Sequence, residues 1–149
     1  MMSTVALKRS WAQDLDTATL YQLLKLRVEV FVVEQKCAYP ELDGLDLLPE
    51  TRHFWLDDEG EFIATLRLLE EHHDGVKSFR IGRLCTAVSA RGHGYTTRLL
   101  QAALAEVGSD TVRINAQTYL IDLYSKHGFE VDGEEFVEDG VPHVPMRKG

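Results

Sequence analysis

The sequence predicts a single α/β domain of the α+β kind, in which a mixed, mostly antiparallel sheet of about six to seven strands is flanked by helices. Three observations lead to this fold class. Strand and helix patterns alternate along the chain, turn sequences join the strands in its middle, and no linker, repeat or low-complexity stretch divides it. A length of 149 residues fits one domain, spanning residues 1–149, that buries its core without a disulfide or a metal.

The first predicted elements are a strand at Leu7–Trp11 and a long helix. Asp16 can cap this helix, which runs to about Glu34 because apolar residues, Phe31 among them, recur on one helical face. The stretch 36–50 then has no periodicity and is interrupted by prolines, aspartates and a glycine. Segments of about 12–15 residues without regular structure are uncommon in compact domains and are often functional.

Three strands are predicted in the middle of the chain, at Arg52–Leu56, Glu61–Leu69 and Ser78–Thr86. The turn sequences 57–60 and Asp74–Gly75 separate them, as in hairpins. These strands therefore form an antiparallel meander.

The remaining elements alternate again between helix and strand. A helix is expected after Gly94 and ends at Gly108–Asp110, and a second, shorter helix ends at Gly128, the usual C-terminal glycine position. The strands around these helices are predicted at 111–116, 129–131 and 143–147, and the shorter helix at 118–127.

Charge and cysteine content exclude several classes of function. The chain carries 24 acidic and 16 basic side chains, a net charge of −8, which argues against nucleic acid as a partner. It has no apolar run of about 18 residues and no signal-peptide core, so we expect no membrane partner and a cytoplasmic location. Cys37 and Cys85 are isolated, which predicts reduced thiols and no metal site.

The most informative motif is the glycine-rich turn Arg91-Gly92-His93-Gly94, which follows the strand ending at Thr86 and opens a helix. A helix N-terminus presents free N–H groups and a partial positive charge, which together bind phosphate. The glycines let the backbone approach a ligand, and Arg91 adds positive charge. From these residues alone, the turn is either a phosphate site or a connection without a ligand.

Two motifs that flank this turn resemble those of a known protein family. Arg83-Leu84-Cys85-Thr86 precedes the turn and Tyr124-x-x-x-Gly128-Phe129 follows it, and together they resemble the GNAT superfamily of N-acetyltransferases. Thr96, where that family usually has glycine or alanine, and Gln117, where many relatives have asparagine, depart from the pattern.

A second set of motifs is similar to the ElaA-like branch of that superfamily. They share its order and spacing, and they comprise Leu26-Arg27, Phe31-Val32-Val33-Glu34-Gln35, Asp43, Asp46, Arg52-His53 and Glu138-Asp139-Gly140-x-Pro142-His143.

The resemblance implies that acetyl-CoA is the co-substrate and that its acetyl group moves directly to an amine of a small molecule or peptide in a ternary complex. It also implies that the pantetheine arm inserts where the strand ending at Thr86 separates from its neighbour. The residues expected to bind coenzyme A are Leu84, Cys85, Thr86, Arg91, Gly92, His93, Gly94, Tyr95, Thr96 and Gln117.

Two catalytic residues are expected. Tyr124 matches the family tyrosine that protonates the departing thiolate. His143 is the best candidate for the base that accepts the amine proton, because the unperturbed pKa of imidazole is near 6.5, with His53 and Glu34 as rivals. The residues expected to bind the acceptor are Arg27, Phe31, Glu34 and His53.

Several alternatives remain open at this stage. Arg27 could pair with Glu34, Asp43 or Asp46 inside the fold, and this structural ion pair is favoured over contact with the acceptor. Acidic residues in 34–50 and 130–139 predict a cationic amine acceptor, unless they only form a solvated surface. Arg27, Phe31, Asp43, Asp46 and Arg67 also resemble acyl-homoserine lactone synthases, and a coenzyme A-binding module without catalysis is a further alternative. Exposed strand edges are compatible with a homodimer.

Overall fold

The computed structural model describes residues 4–149, so the first three residues of the predicted domain lie outside it. Within the described range, eight strands form one sheet: β1 (Val5–Trp11), β2 (Arg52–Asp58), β3 (Glu61–His73), β4 (Val76–Thr86), β5 (Val112–Gln117), β6 (Glu130–Val131), β7 (Phe136–Glu138) and β8 (Val141–Lys148). The α-helices are α1 (Thr17–Arg27), α2 (Tyr95–Val107) and α3 (Ile121–Ser125). None of the helices in residues 4–149 is long and apolar enough to span a membrane.

The predicted order of elements is confirmed, with one strand added. Helix α1 begins after Asp16, whose carboxylate accepts a hydrogen bond of 2.7 Å from the Thr19 N–H. A π-helix, Val28–Glu34, continues α1 to the predicted end. The added strand is β7, which pairs with β8 and has only 3 residues. So short a segment shows no recognisable strand periodicity in the sequence.

The order of strands in the sheet is β1-β2-β3-β4-β5-β8-β6, and only the β4–β5 pair is parallel. In the described chain, β4 and β5 pair only through Phe79 with Val112 and Arg80 with Arg113. Beyond Arg80, the edge of β4 that faces β5 therefore has no strand partner. The opening lies where the sequence analysis expected the two strands to separate.

The main core lies between one face of the sheet and helices α2 and α3. Leu99 and Leu100 of α2 are fully buried in it, and Tyr124 of α3 belongs to the same cluster. A second, smaller cluster forms on the other face, where α1 and the π-helix bring Leu26 and Val30 against Cys85 of β4. Helices thus cover both faces of the central strands.

A buried ion cluster fastens the irregular segment 36–50 to this second face. The side chain of Arg27 is 1% exposed. Its Nε donates to Glu41 Oε2 at 2.6 Å, and its Nη1 and Nη2 donate to the Asp46 carboxylate at 2.5 and 3.1 Å. Burial opposes ionisation of Asp46, but the hydrogen bond and charge of Arg27 outweigh it and hold the pKa of that carboxyl below its usual value.

Two further arginines extend the cluster from the sheet. Arg67 of β3 donates to both oxygens of Asp43 at 2.9 Å and to Asp46 at 3.2 Å. Arg83 of β4 donates to Glu41 at 3.1 Å and to Asp43 at 3.3 Å. With Arg27, three guanidinium groups face three carboxylates, so the cluster carries no formal net charge.

Removing Arg27 tests how much the cluster contributes to stability. We predict that Arg27→Met lowers the free energy of unfolding by about 3–5 kcal/mol, because it removes the most buried cation of the cluster and leaves three carboxylates to two arginines. Urea titration followed by circular dichroism measures this loss.

Lys8→Met is the matched control. Lys8 pairs with Asp57 at 2.9 Å, but its side chain is 51% exposed, so the expected loss is at most about 1 kcal/mol. Equal losses in the two variants would contradict a stabilising role for the buried cluster.

Candidate active site

The glycine-rich turn presents an open backbone surface at the start of α2. Gly92 and Gly94 have positive φ angles of 85° and 75°, and a side chain built on either would meet no atom within 4 Å. Among the described residues, no side chain caps α2. Because the first N–H groups of a helix have no partner within the helix, the turn offers unpaired donors to open space.

A pocket of about 120 Å³ lies over this turn. It is lined by Thr86, Ala90, Arg91, Gly92, Gly94, Tyr95, Thr96 and Thr97. The hydroxyl groups of Thr86 and Thr96 are hydrogen-bonded at 3.2 Å, which joins the end of β4 to the start of α2. The fold therefore brings most of the residues expected to bind coenzyme A into one pocket.

The other residues of that set lie around the pocket. His93 packs against Tyr95 with ring centroids 5.6 Å apart and lines a neighbouring pocket of about 160 Å³. Cys85 is buried, and this burial raises the pKa of its thiol to about 12, so the thiol is protonated and unreactive. Leu84 is half-buried beside the main core, and Gln117 lies across the opening on β5.

A β-bulge shapes β4 directly before the pocket. Arg83 and Leu84 together oppose Leu66 of β3, and Arg83 has a positive φ of 51°. This conformation is strained for a residue other than glycine by about 1–3 kcal/mol, so the surrounding structure must hold it. The ion pairs of Arg83 with Glu41 and Asp43 supply this restraint.

Arg91 connects the turn to the end of the π-helix. Its Nη1 and Nη2 donate to the two carboxylate oxygens of Glu34 at 2.6 and 2.7 Å, and its Nε donates to the Thr86 carbonyl at 3.0 Å. The hydrogen bond from Arg91 lowers the pKa of Glu34. Glu34 is therefore ionised and is held at the rim of the pocket.

His143 lies on β8 directly opposite Gln117 of β5. Its Nδ1 is 2.7 Å from the Val141 carbonyl oxygen, and its ring stacks on Phe136 at a centroid distance of 5.7 Å. A carbonyl only accepts hydrogen bonds, so Nδ1 carries the proton when the ring is neutral. Nε2 is then left with a lone pair that no residue within 4–149 occupies.

Tyr124 is 4% exposed and packs edge-on against Phe129, with centroids 5.9 Å apart. Burial raises the pKa of its phenol above the usual value, so the phenol is protonated at neutral pH. No described residue forms a hydrogen bond with its hydroxyl group.

Two residues expected to bind the acceptor are inside the protein. Arg27 and His53 are each 1% exposed. His53 Nε2 is 3.0 Å from the Asp46 carbonyl oxygen, and burial lowers the pKa of His53, which keeps the imidazole neutral. Both residues belong to the ion cluster or border it, so a structural role replaces the expected contact with the acceptor. Of the other two, Phe31 is half-buried against the second core cluster and Glu34 is exposed.

The acidic surface predicted from segments 34–50 and 130–139 is reduced to one of these two segments. In segment 34–50, Asp43 and Asp46 are neutralised by arginines of the cluster, and Glu34 by Arg91. Segment 130–139 instead contains several carboxylates and no basic residue: Glu130, Asp132, Glu134, Glu135, Glu138 and Asp139. The two segments meet where the Cys37 thiol contacts the Asp139 carbonyl oxygen at 3.4 Å.

Sequence reasoning missed two members of the cluster, Glu41 and Arg83. Glu41 is 4% exposed and contacts both Arg27 and Arg83. The sequence does contain a signal for such a cluster. Arg27 and Arg67 stand within apolar patterns, so each needs a carboxylate partner, and the acidic segment 36–50 without regular structure can supply it. The signal does not say which carboxylate pairs with which arginine.

Comparisons with known proteins agree with this architecture. The acetyltransferase (GNAT) domain family matches residues 18–149. A UPF0039 protein of Mycobacterium tuberculosis is 66% identical over 144 residues, covering 96% of this chain and 92% of that protein. An acyl-CoA N-acyltransferase from Pseudomonas aeruginosa superposes with a TM-score of 0.87 at 41% identity, covering 97% of this chain and 99% of that chain. Escherichia coli ElaA superposes with a TM-score of 0.88 at 32% identity, with the same coverage of 97% and 99%. The chain therefore belongs to the GNAT acetyltransferase family and to its ElaA-like branch.

Proposed function

We propose that this protein is an acetyl-CoA-dependent N-acetyltransferase that moves an acetyl group directly to an amine of a small molecule or peptide in a ternary complex. The observation that carries the proposal is the open, uncapped glycine turn beside the opening between β4 and β5. The similar Pseudomonas protein is named an acyl-CoA N-acyltransferase, which supports a thioester of coenzyme A as the donor.

The turn suits the diphosphate of coenzyme A. The dipole of α2 supplies only about 0.3–1 kcal/mol, so several N–H groups of residues 92–97 must donate to the phosphate oxygens. Thr96 departs from the family pattern without blocking this site, because its hydroxyl is bonded to Thr86.

The free edge of β4 suits the pantetheine arm. Backbone groups of Leu84 and Thr86 would pair with its amides in place of the missing strand partner. One N–H on this edge would polarise the thioester carbonyl, where negative charge develops in the transition state.

The acceptor amine must lose a proton before or during attack. With a pKa near 10.4, a free alkyl amine is neutral in only about one part in 10³ at pH 7. His143 Nε2 would accept this proton, directly or through one water, while the Val141 carbonyl and the Phe136 ring hold the imidazole in place. The new N–C bond then forms as the C–S bond breaks.

Tyr124 would give its phenolic proton to the departing thiolate. Burial keeps the phenol protonated at neutral pH, so that a proton is present on the residue that would donate it. The proton removed from the amine and the proton given to sulfur thus pass through separate residues.

A cationic acceptor is part of this proposal. The carboxylates of segment 130–139 provide an excess of negative charge next to β8, which carries His143. Such a field attracts an ammonium group. The free thiols Cys37 and Cys85 suit a reducing cytoplasm, which is the location we propose.

Ligand-dependent stability and thiol release test this function. We predict that acetyl-CoA and coenzyme A at 100 times their Kd stabilise the protein by about 2.7 kcal/mol, measured by thermal unfolding, and that S-adenosylmethionine does not. Acetyl-CoA should then release thiol with at least one amine of a panel comprising diamines, amino acids, aminoglycosides and a peptide N-terminus.

Two outcomes would contradict the proposal. Stabilisation by S-adenosylmethionine but not by acetyl-CoA would favour acyl-homoserine lactone synthesis. Stabilisation by acetyl-CoA without thiol release from any amine would favour a binding module without catalysis.

Two variants test the catalytic roles. We predict that Tyr124→Phe retains the Kd for acetyl-CoA and loses about 10²-fold or more in kcat, because the leaving thiolate has no proton donor. His143→Gln should lose about 10²–10⁴-fold in kcat/KM, and the acid limb of its pH profile should lose one ionising group. Steady-state kinetics on an amine from the panel measure both effects.

Tyr21→Phe is the control, because Tyr21 lies exposed on α1. Wild-type turnover in Tyr124→Phe would remove that residue from the acid role. An unchanged acid limb in His143→Gln would assign the base to another group.

A further inference from the structure

We propose that Glu34 determines acceptor specificity and that coenzyme A itself uncovers it: the diphosphate takes the Nη groups of Arg91 from Glu34, and the freed carboxylate binds an ammonium group of the acceptor. The inference rests on the proposed function, because it requires coenzyme A at the glycine turn. It adds a reason for the two substrates to bind cooperatively.

Arg91 is placed to exchange partners without leaving the pocket. It lines the pocket over the glycine turn, and its Nε is held by the Thr86 carbonyl at 3.0 Å. Its Nη1 and Nη2 make the bidentate contact with Glu34. Because Arg91 already lines this pocket, a change in its side-chain torsions can turn these two donors from Glu34 towards a phosphate bound there.

The exchange is favoured by charge and exposure. The side chains of Arg91 and Glu34 are 44% and 35% exposed, so their ion pair is weakened by water and salt. A diphosphate carries more negative charge than one carboxylate and also accepts hydrogen bonds from the N-terminus of α2. Arg91 thus gains more from the diphosphate than from Glu34.

The freed carboxylate lies on the acceptor side of the opening. Glu34 ends the π-helix, and Cys37 in the next turn of chain contacts Asp139, which joins β7 to β8. The carboxylates of Glu41, Asp43 and Asp46 remain neutralised in the ion cluster. Glu34 is therefore the carboxylate of this region whose partner the coenzyme can remove.

The exchange couples the two ligands. Without coenzyme A, Arg91 neutralises Glu34, so this carboxylate cannot bind a cationic acceptor. When coenzyme A is bound, Arg91 contacts the diphosphate and the Glu34 carboxylate can bind the acceptor. Such coupling is reciprocal, so a cationic acceptor must tighten coenzyme A by the same factor.

Calorimetric titration of coenzyme A tests the exchange without turnover. Glu34→Gln should tighten the Kd about two- to fivefold, because Arg91 no longer has to leave an exposed ion pair. Arg91→Gln should weaken the Kd, and adding Glu34→Gln to it should cause no further change. Glu106→Gln removes the charge that pairs with Arg9 at 2.8–2.9 Å and with Arg52 at 3.0 Å near the other end of α2, and it should leave the Kd unchanged.

A change of the Kd for coenzyme A in the opposite direction would contradict the proposed exchange of partners. If Glu34→Gln weakens coenzyme A or leaves the Kd unchanged, Glu34 does not compete for Arg91. If the wild-type protein does not bind coenzyme A at all, the proposed function itself fails, and the two failures are thus distinguishable.

A second titration tests the acceptor role of Glu34. We expect 1,4-diaminobutane to bind the complex with coenzyme A at least twofold more tightly than the free protein, and Glu34→Gln to abolish this difference. Equal affinity in the presence and absence of coenzyme A, or an unchanged difference in Glu34→Gln, would overturn the acceptor role. The Glu106→Gln variant should behave as the wild type.

Discussion

The buried contact of Arg27 with Glu41 and Asp46 is the interaction on which the rest of the site depends. It fastens a segment without regular structure to the sheet, and Arg83 extends it to the bulge of β4. The backbone beyond that bulge forms one wall of the opening between β4 and β5. A solvated loop could not hold a strained residue in place, whereas a buried pair with several hydrogen bonds can. The contacts that anchor the irregular segment therefore also determine the shape of the opening between β4 and β5.

The same cluster determines how charge is distributed over the molecule. A net charge of −8 suggests an acidic surface throughout, but three of the carboxylates near the site form ion pairs with the arginines of the cluster. What remains available to a ligand is the acidic segment 130–139 on one side and the N-terminus of α2 on the other. These two regions have opposite electrostatic potential, as the proposed polyanionic donor and cationic acceptor require. Arg91 and Glu34 lie where these regions meet.

The sequence predicts local features well and distant partners poorly. The glycine turn is predictable because positive φ angles and a helix start depend on adjacent residues. The partners of Arg27 are 14 and 19 residues away, and no local pattern selects Glu41 over other acids. His53 was expected at the acceptor site, yet the irregular segment 36–50 folds over its face of β2, where the Asp46 carbonyl contacts its Nε2 and the side chain is buried. Strand β7 is too short to show a period.

In the proposed complex, acetyl-CoA lies in the opening with its diphosphate on the glycine turn. Hydrogen exchange of backbone amides, with and without acetyl-CoA, tests this placement most directly. We expect acetyl-CoA to slow exchange at residues 92–97 and 84–86 and to leave exchange at β1 unchanged. Pantetheine, which lacks the diphosphate, should slow exchange only at residues 84–86. Unchanged exchange at 92–97 in the presence of saturating acetyl-CoA, with protection elsewhere, would contradict this placement.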